Sequence, residues 1–318
     1  MHVLENEEQK EKQVLNVLAK SIRRLIDEER FLIKNLQEIR LRIGKPLTVI
    51  YNNQEFFLPL RKMEKHIVRQ EELRETLNYI SRYSLYAFES EIKQGFITIE
   101  GGHRVGASGK VILENDRVKN IEYISSLNIR VTHEIRGCAD KVMRFITKKG
   151  MVCHTLIVSP PRSGKTTLIR DMVRQISDGN GYVKGCTVGV VDERSEIGGC
   201  YLGVPQNDLG MRTDILDCCP KSQGMLMLIR SMAPQVIAVD EIGTIEEIHS
   251  VEYAMQCGCK MIASVHGRDM NEVREKPILG ELIKSHRFER YIVLKNKNHP
   301  GEIDAIYGER GNLLCKDL

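Results

Sequence analysis

The stretch Ser159-Pro160-Pro161-Arg162-Ser163-Gly164-Lys165-Thr166-Thr167 constrains this chain more than any other. An apolar run, Leu156-Ile157-Val158, leads into it, and Leu168-Ile169-Arg170-Asp171-Met172-Val173 continues it with helical character. Strand, tight turn and helix opening on Gly-Lys-Thr form the setting of a phosphate-binding loop. A helix N-terminus offers unpaired N–H groups and a partial positive charge to an anion. Gly164 lets the backbone approach a phosphate, Lys165 reaches the β- and γ-phosphates, and the Thr166 hydroxyl is placed for Mg²⁺. The candidate nucleotide cradle is therefore Pro160, Pro161, Arg162, Ser163, Gly164, Lys165, Thr166 and Thr167. The first position of the loop departs from the usual pattern, because Ser159 stands where glycine is customary. Serine lacks glycine's freedom at positive φ, so a loop altered at that point is expected. Two prolines stiffen the turn.

From Thr155 onward, strands and helices alternate, which predicts an α/β fold with a mainly parallel sheet covered on both faces. The expected strands are Thr155–Val158, Thr187–Val191, Val236–Val239, Met261–Val265 and Tyr291–Leu294, with Ile303–Tyr307 as an antiparallel edge. Their apolar runs are continuous, as suits strands buried on both faces. Helices are expected over Lys165–Ser177, Met225–Met232, Ile245–Gln256 and Asn271–Lys284. The first 135 residues read as a smaller α+β domain: a helix over 10–36, a meander through 38–58, helices over Glu71–Ile80 and Leu85–Gln94, then a strand at Phe96–Ile99 and extended segments His103–Leu113 and Val118–Val131. The expected division is an N-terminal domain over 1–135 for assembly or partner contacts, a linker over 136–150 and the nucleotide domain over 151–318.

Ligands of such sheets bind at the carboxyl ends of the strands. Val236–Val239 ends in Asp240-Glu241, four apolar residues followed by two carboxylates. Asp240 would hold Mg²⁺ opposite Thr166, and Glu241 would orient or deprotonate the attacking water, a pairing that favours ATP hydrolysis. Thr187–Val191 ends in Asp192-Glu193-Arg194-Ser195-Glu196. Glu193 is a candidate second carboxylate for water or metal, and Arg194 could touch a phosphate of its own or a neighbouring subunit. The competing reading is a solvated charged turn. Met261–Val265 ends at His266-Gly267, where Ser264 or His266 is the candidate sensor of the γ-phosphate. Asn296-Lys297-Asn298-His299 resembles a guanine-reading loop, but His299 replaces the carboxylate that would accept from guanine, so the expected base is adenine.

Composition narrows the classes. Nine cysteines without paired spacing and a charged, leaderless N-terminus imply reduced thiols in the cytosol. Cys257-Gly258-Cys259 with His266 lacks the spacing of a tetrahedral zinc site. No apolar run approaches the roughly 20 residues that span a bilayer. There is no Trp, and the net charge is only +4, so no nucleic-acid partner is expected. Residues 1–150 hold 27 Lys+Arg against 21 Asp+Glu, and the remainder 20 against 22. A basic first half could pair between subunits or face anionic lipid, beside the plainer reading of a solvated surface.

Several segments together resemble the stage III sporulation protein AA family: Gly-Gly-His-Arg-Val-Gly (101–106), Gly-Lys-Thr-Thr-Leu-Ile-Arg-Asp (164–171), Val-Asp-Glu-Arg-Ser-Glu-Ile (191–197), Leu-Gly-Met-Arg-Thr-Asp-Ile-Leu-Asp (209–217) and Ile-Arg-Ser-Met-Ala-Pro-Gln-Val-Ile-Ala-Val-Asp-Glu-Ile-Gly (229–243). The likeness covers the chain from about residue 35 onward. It implies a sporulation ATPase related to those of type II and type IV secretion. The core would be a RecA-like P-loop NTPase, and the assembly a hexameric ring. It would sit peripherally in the mother-cell cytoplasm, against membrane-embedded components of a channel to the forespore. Lys165 and Thr166 then match Walker A positions, Asp240 and Glu241 Walker B, Asp192–Glu196 an acidic box and His266 a histidine box. Arg104 matches arginines sent from the N-terminal domain toward nucleotide. Such a core rarely encloses its own γ-phosphate, and an arginine from a neighbour is worth roughly 10³–10⁵ in turnover. Arg104 and Arg194 are the candidates for that group. Two other readings stay open, a nucleic-acid motor on the same core and a scaffold merely stabilised by nucleotide.

Overall fold

A computed structural model describes residues 13–82, 95–114, 117–161, 163–295 and 301–318. Arg162, the helix expected over Leu85–Gln94 and the loop Asn296–His299 lie outside the described residues. The chain divides into two compact units, residues 1–133 and 134–318.

The first unit is an antiparallel sheet with helices. Its strands are β1 (Leu36–Arg42), β2 (Thr48–Tyr51), β3 (Gln54–Phe57), β4 (Phe96–Thr98), β5 (Arg104–Glu114) and β6 (Arg117–Arg130), in the order β3-β2-β1-β6-β5-β4. Period-two patterning decides which face is buried: Ile39 and Leu41 on β1, Val105 on β5, and Leu127 and Ile129 on β6 are all buried. Among the described residues, helices α1 (Lys20–Glu28) and α2 (Gln70–Ile80) accompany it. The single helix expected over 10–36 is interrupted. The Ala19 N–H donates to the buried Thr76 hydroxyl on α2 at 3.0 Å, which takes that residue out of helical conformation, and α1 starts one residue later. A tertiary hydrogen bond here outweighs local periodicity.

The second unit opens with α3 (Asp140–Ile146) and a hairpin of β7 (Thr147–Lys148) and β8 (Met151–Val152). These residues are not a linker, contrary to expectation. Ala139, Val142, Met143 and Ile146 are fully buried in one core with Leu168, Ile169 and Met172. The Ala139 N–H also donates to the buried Asp171 carboxylate at 2.8 Å. Residues 136–150 thus belong to the second unit.

Its large sheet contains β9 (Thr155–Ser159), β10 (Val188–Asp192), β11 (Thr213–Asp217), β12 (Val236–Val239), β13 (Lys260–His266), β14 (Arg290–Leu294), β15 (Ile303–Gly308) and β16 (Leu313–Lys316). The order is β11-β10-β12-β13-β9-β14-β15-β16, with the first six parallel and the last two antiparallel. The helices are α4 (Lys165–Asp178), α5 (Lys221–Ser231), α6 (Ile245–Gln256), α7 (Met270–Glu275) and α8 (Pro277–Lys284). Two apolar cores flank the sheet. All of β9, β10 and β12 is buried, as continuous apolar runs require. The helix expected over Asn271–Lys284 is two, because Pro277 disfavours helical conformation in Lys276, which lies at φ −68° and ψ 123°. Edge strands β11 and β16 were not expected.

One feature of the order positions the chemistry. The strand that leads into the phosphate loop, β9, and the strand that ends at Asp240, β12, are not neighbours. Strand β13 runs between them. The exits of β9, β13 and β12 therefore lie side by side, as one row at the carboxyl edge.

Candidate functional site

The phosphate loop turns on Gly164, which adopts φ 85° and ψ 18° and caps α4. No side chain caps that helix end, so its first N–H groups point outward for an anion. Ser159 is not among the residues with positive φ. It adapts the loop in another way: its buried hydroxyl lies 2.6 Å from the Ser163 hydroxyl, and each lies 2.8 Å from the Pro160 carbonyl oxygen. A hydrogen-bonded ring inside the loop thus occupies the space that glycine would leave open. Pro161 is exposed at the tip, and Thr167 lies in the first turn of α4, where its carbonyl accepts from the Cys138 thiol.

Two residues at the start of α4 meet Asp240 at the end of β12. Lys165 Nζ is 2.9 Å from Asp240 Oδ1, and the Thr166 hydroxyl donates to Asp240 Oδ2 at 2.9 Å. Lys165 is largely buried. From β13 the fully buried Ser264 hydroxyl donates to Asp240 Oδ1 at 2.5 Å and accepts the Glu241 N–H at 2.8 Å. Glu241 sits at φ 58°, a left-handed backbone that a glutamate keeps only when its surroundings impose it. Its carboxylate lies 2.9 Å from His266 Nε2, 3.6 Å from Lys165 Nζ and 3.7 Å from Arg194 Nη1. Lys165, Thr166, Asp240, Glu241, Arg194 and His266 are thereby brought together. A hydroxyl and a carboxylate side by side are the hard oxygen donors that suit Mg²⁺, so the residues present fit that ion.

The acidic loop after β10 divides its labour. Asp192 is buried and accepts the N–H groups of Glu196, Ile197 and Gly198 at 2.8, 2.9 and 2.8 Å. Burial pushes its carboxyl up to about 6, helped by the neighbouring Asp217 and opposed by those three hydrogen bonds. Asp192 organises the loop rather than facing solvent. Glu193 is directed to Lys221 at 2.8 Å, not to Lys165 or Thr166. Arg104 belongs to the first unit, where its guanidinium lies 4.4 Å from the Phe96 ring centre.

Three participants escaped the sequence reading. Buried Arg170, one turn into α4, donates to the carbonyls of Ile197 and Glu196 at 2.9 and 2.8 Å and bolts the acidic loop to the phosphate-loop helix. Lys221, at the start of α5, bridges Glu193 and Glu247. Glu247 forms a capping box with Thr244 at the start of α6. The signal for the last was present, since Thr-x-x-Glu opens an apolar run. Arg170 carried no local signal beyond a charge within an apolar stretch, and Lys221 none beyond its place after Pro220.

The sheet order and this arrangement define the P-loop NTPase fold. Among solved structures the chain is similar to the pilus retraction motor PilT with bound ADP, at TM-score 0.60 and 16% identity, covering 94% of this chain and 83% of that one. It is likewise similar to the Yersinia pseudotuberculosis ATPase DotB, at TM-score 0.60 and 14% identity, covering 92% and 77%. These likenesses establish the α/β fold of secretion ATPases. The chain belongs to the family described as sporulation stage III, protein AA, which matches residues 8–314. It is 38% identical to stage III sporulation protein AA of Bacillus subtilis (strain 168) over 307 residues, covering 96% of this chain and 97% of that one. Among the described residues no helix is long and apolar enough to cross a membrane.

Proposed function

We propose that the chain binds MgATP at the carboxyl edge of the sheet and hydrolyses it, as a subunit of a homo-oligomeric, hexameric ring. The observation that carries this is the convergence of Lys165 and Thr166 on Asp240, with Glu241 alongside. Adenine nucleotide would enter with its phosphates over the free N–H groups of α4. Lys165 would then exchange its ion pair with Asp240 for the β- and γ-phosphates. Thr166 and Asp240 would hold Mg²⁺, which supplies charge neutralisation to the phosphate oxygens when bound. Glu241 would orient the attacking water and take its proton, while His266 holds that carboxylate in place. Arg194 is two-thirds exposed, at 66%, which leaves it at the surface where a neighbouring subunit's phosphates could be reached. Arg104 remains the second candidate for an arginine acting between subunits.

Membership of a sporulation family and a secretion-ATPase fold support a role in powering a channel between mother cell and forespore. The ring would lie on the mother-cell side and act on membrane-embedded partners. The test is MgATP turnover as a function of protein concentration, with Lys165→Ala as control. Specific activity that climbs with concentration and vanishes in the variant is expected of a site completed by a neighbour. Flat activity per subunit would remove the neighbour's arginine, and no turnover by the assembled protein would overturn the hydrolysis reading.

A further inference from the structure

Lys221 opens α5 directly after Pro220, a place where the helix dipole disfavours a cation. Its side chain is nonetheless only 9% exposed. Burial alone would lower its ammonium, but hydrogen bonds to Glu193 and Glu247 outweigh that and hold it above its ordinary range. Nζ lies 2.8 Å from Glu193 Oε2 and 2.9 Å from Glu247 Oε1.

Each partner serves a different wall of the phosphate cleft. Glu193 begins the acidic loop immediately after Asp192. Glu247 accepts the N–H groups of Gly243 and Thr244 at 2.7 and 3.0 Å, and these two residues close the turn that carries Glu241. The other side of that turn is held from β13, where the Ser264 hydroxyl accepts the Glu241 N–H and the Ser264 carbonyl accepts the Ile242 N–H, each at 2.8 Å. Between these two supports Glu241 keeps its left-handed backbone. Lys221, Glu193, Asp240 and Glu241 line one small cleft. An isolated Glu247 carboxylate, nearly as buried as Lys221, would be costly to keep charged. Lys221 therefore sustains the charge that strengthens the Gly243 and Thr244 hydrogen bonds.

We propose that Lys221 is a positioning residue for the proposed hydrolysis. Through Glu247 it fixes the turn that presents Glu241, and through Glu193 it holds the acidic loop at the rim of the cleft. The proposal rests on the ATP-hydrolysis reading given above. Lys221 is not assigned to the phosphates, so its effect falls on the chemical step and not on nucleotide affinity.

The experiment compares the full-length wild type with Lys221→Met, Lys221→Arg and Glu247→Gln. Three quantities are read: steady-state MgATP kinetics, affinity for a fluorescent ADP analogue, and amide hydrogen exchange across 240–247. In Lys221→Met, kcat is expected to fall roughly 10–100-fold, the magnitude usual for groups that orient a catalytic residue from behind. KM and analogue affinity stay within about twofold. Exchange at Gly243 and Thr244 quickens, while α4 keeps its protection. Lys221→Arg retains the cation and recovers most of kcat. Glu247→Gln keeps an acceptor for both amides and removes the charge, so it lowers kcat without altering affinity, and it decides the matter if Lys221→Met does not fold. Wild-type kcat with unchanged exchange at 243–244 in the folded variants overturns the proposal. So does a loss of protection spread evenly over the second unit, which would mark a merely structural lysine. If the wild type itself shows no turnover, the hydrolysis reading fails separately, and the exchange measurement alone decides whether Lys221 holds the turn.

Discussion

The two ends of the parallel sheet are made by the same strands, yet they are closed by different means. At the carboxyl ends, Lys165, Asp240, Glu241 and Arg194 form a continuous net of ion pairs that His266 joins through Glu241, and Lys221 ties two further carboxylates beside it. At the amino ends, closure is largely by backbone. His154 accepts the Glu289 and Arg290 N–H groups at its carbonyl and the Met261 N–H at its ring, and Lys260 pairs with Glu289 at 2.9 Å. A cleft of about 690 Å³ opens there, lined by Met151, Gln235 and Cys259 among others. The amino end shows that these strands need few charges to pack. The charges at the carboxyl end therefore answer to something other than folding, and the larger opening is not where the chemistry gathers.

The largest expected effect that would sharpen this contrast is at Glu241. Glu241→Gln keeps the volume and removes the base, so MgATP turnover should fall about 10²–10⁴-fold with analogue binding retained. Steady-state hydrolysis checks it, and wild-type turnover would move the base elsewhere. Next is Ser264→Ala, which leaves the Glu241 N–H unpaired and removes a donor from Asp240. Denaturant unfolding should show a loss of about 1–3 kcal/mol, accompanied by slower turnover. Unaltered stability and rate together would mean that β13 does not support the site.

Acid titration sets the two ends against each other. Asp192, at the carboxyl end, has its carboxyl raised from 3.8 to about 6 chiefly by burial. The folded chain binds that proton more tightly than the unfolded one, so its contribution is present below about 4 and is lost as pH rises through about 6. His154, at the amino end, is lowered from 6.5 to about 4 by burial and by Lys260. Its contribution is present above 6.5 and is lost as pH falls toward 4. Thermal midpoints measured between pH 4 and 6.5 should fall more steeply on acidification in Asp192→Asn than in wild type, and less steeply in His154→Gln. Parallel curves for all three would remove both assignments. The smallest effect is expected at the amino-end ion pair. Lys260→Met, at a partly exposed pair, should lower stability by about 1 kcal/mol and leave turnover as in wild type.

Much of this second unit could be read from the chain, because its central strands are apolar throughout and each ends in a chemically marked residue. The phosphate loop, Asp240-Glu241 and His266 were found in that way. Edge strand β11, Thr-Asp-Ile-Leu-Asp, escaped because only Ile215 and Leu216 pack, one against each core, and a partly buried segment of mixed polarity resembles a loop. The supposed connector escaped because its burial depends on Asp171 and α4, which local periodicity does not register. The role of Lys221 was invisible for the same reason: Glu193 is 28 positions away in the chain and reaches it only in the folded sheet.

Strand β13 gives the site a spine. The Ser264 hydroxyl touches the Asp240 carboxylate and the Glu241 N–H just beyond β12, and His266, two residues later, touches the Glu241 carboxylate. Just beyond, the Gly267 N–H returns to the Ser159 carbonyl at 3.2 Å, and the Lys276 ammonium, between α7 and α8, donates to the His266 carbonyl. If the site hydrolyses ATP as proposed, the hydrogen-bonded path from the phosphate site to those outer helices would run along this one short strand. The travel of α7 and α8 per nucleotide would then be set by the tilt of a single strand rather than by a diffuse rearrangement of the sheet.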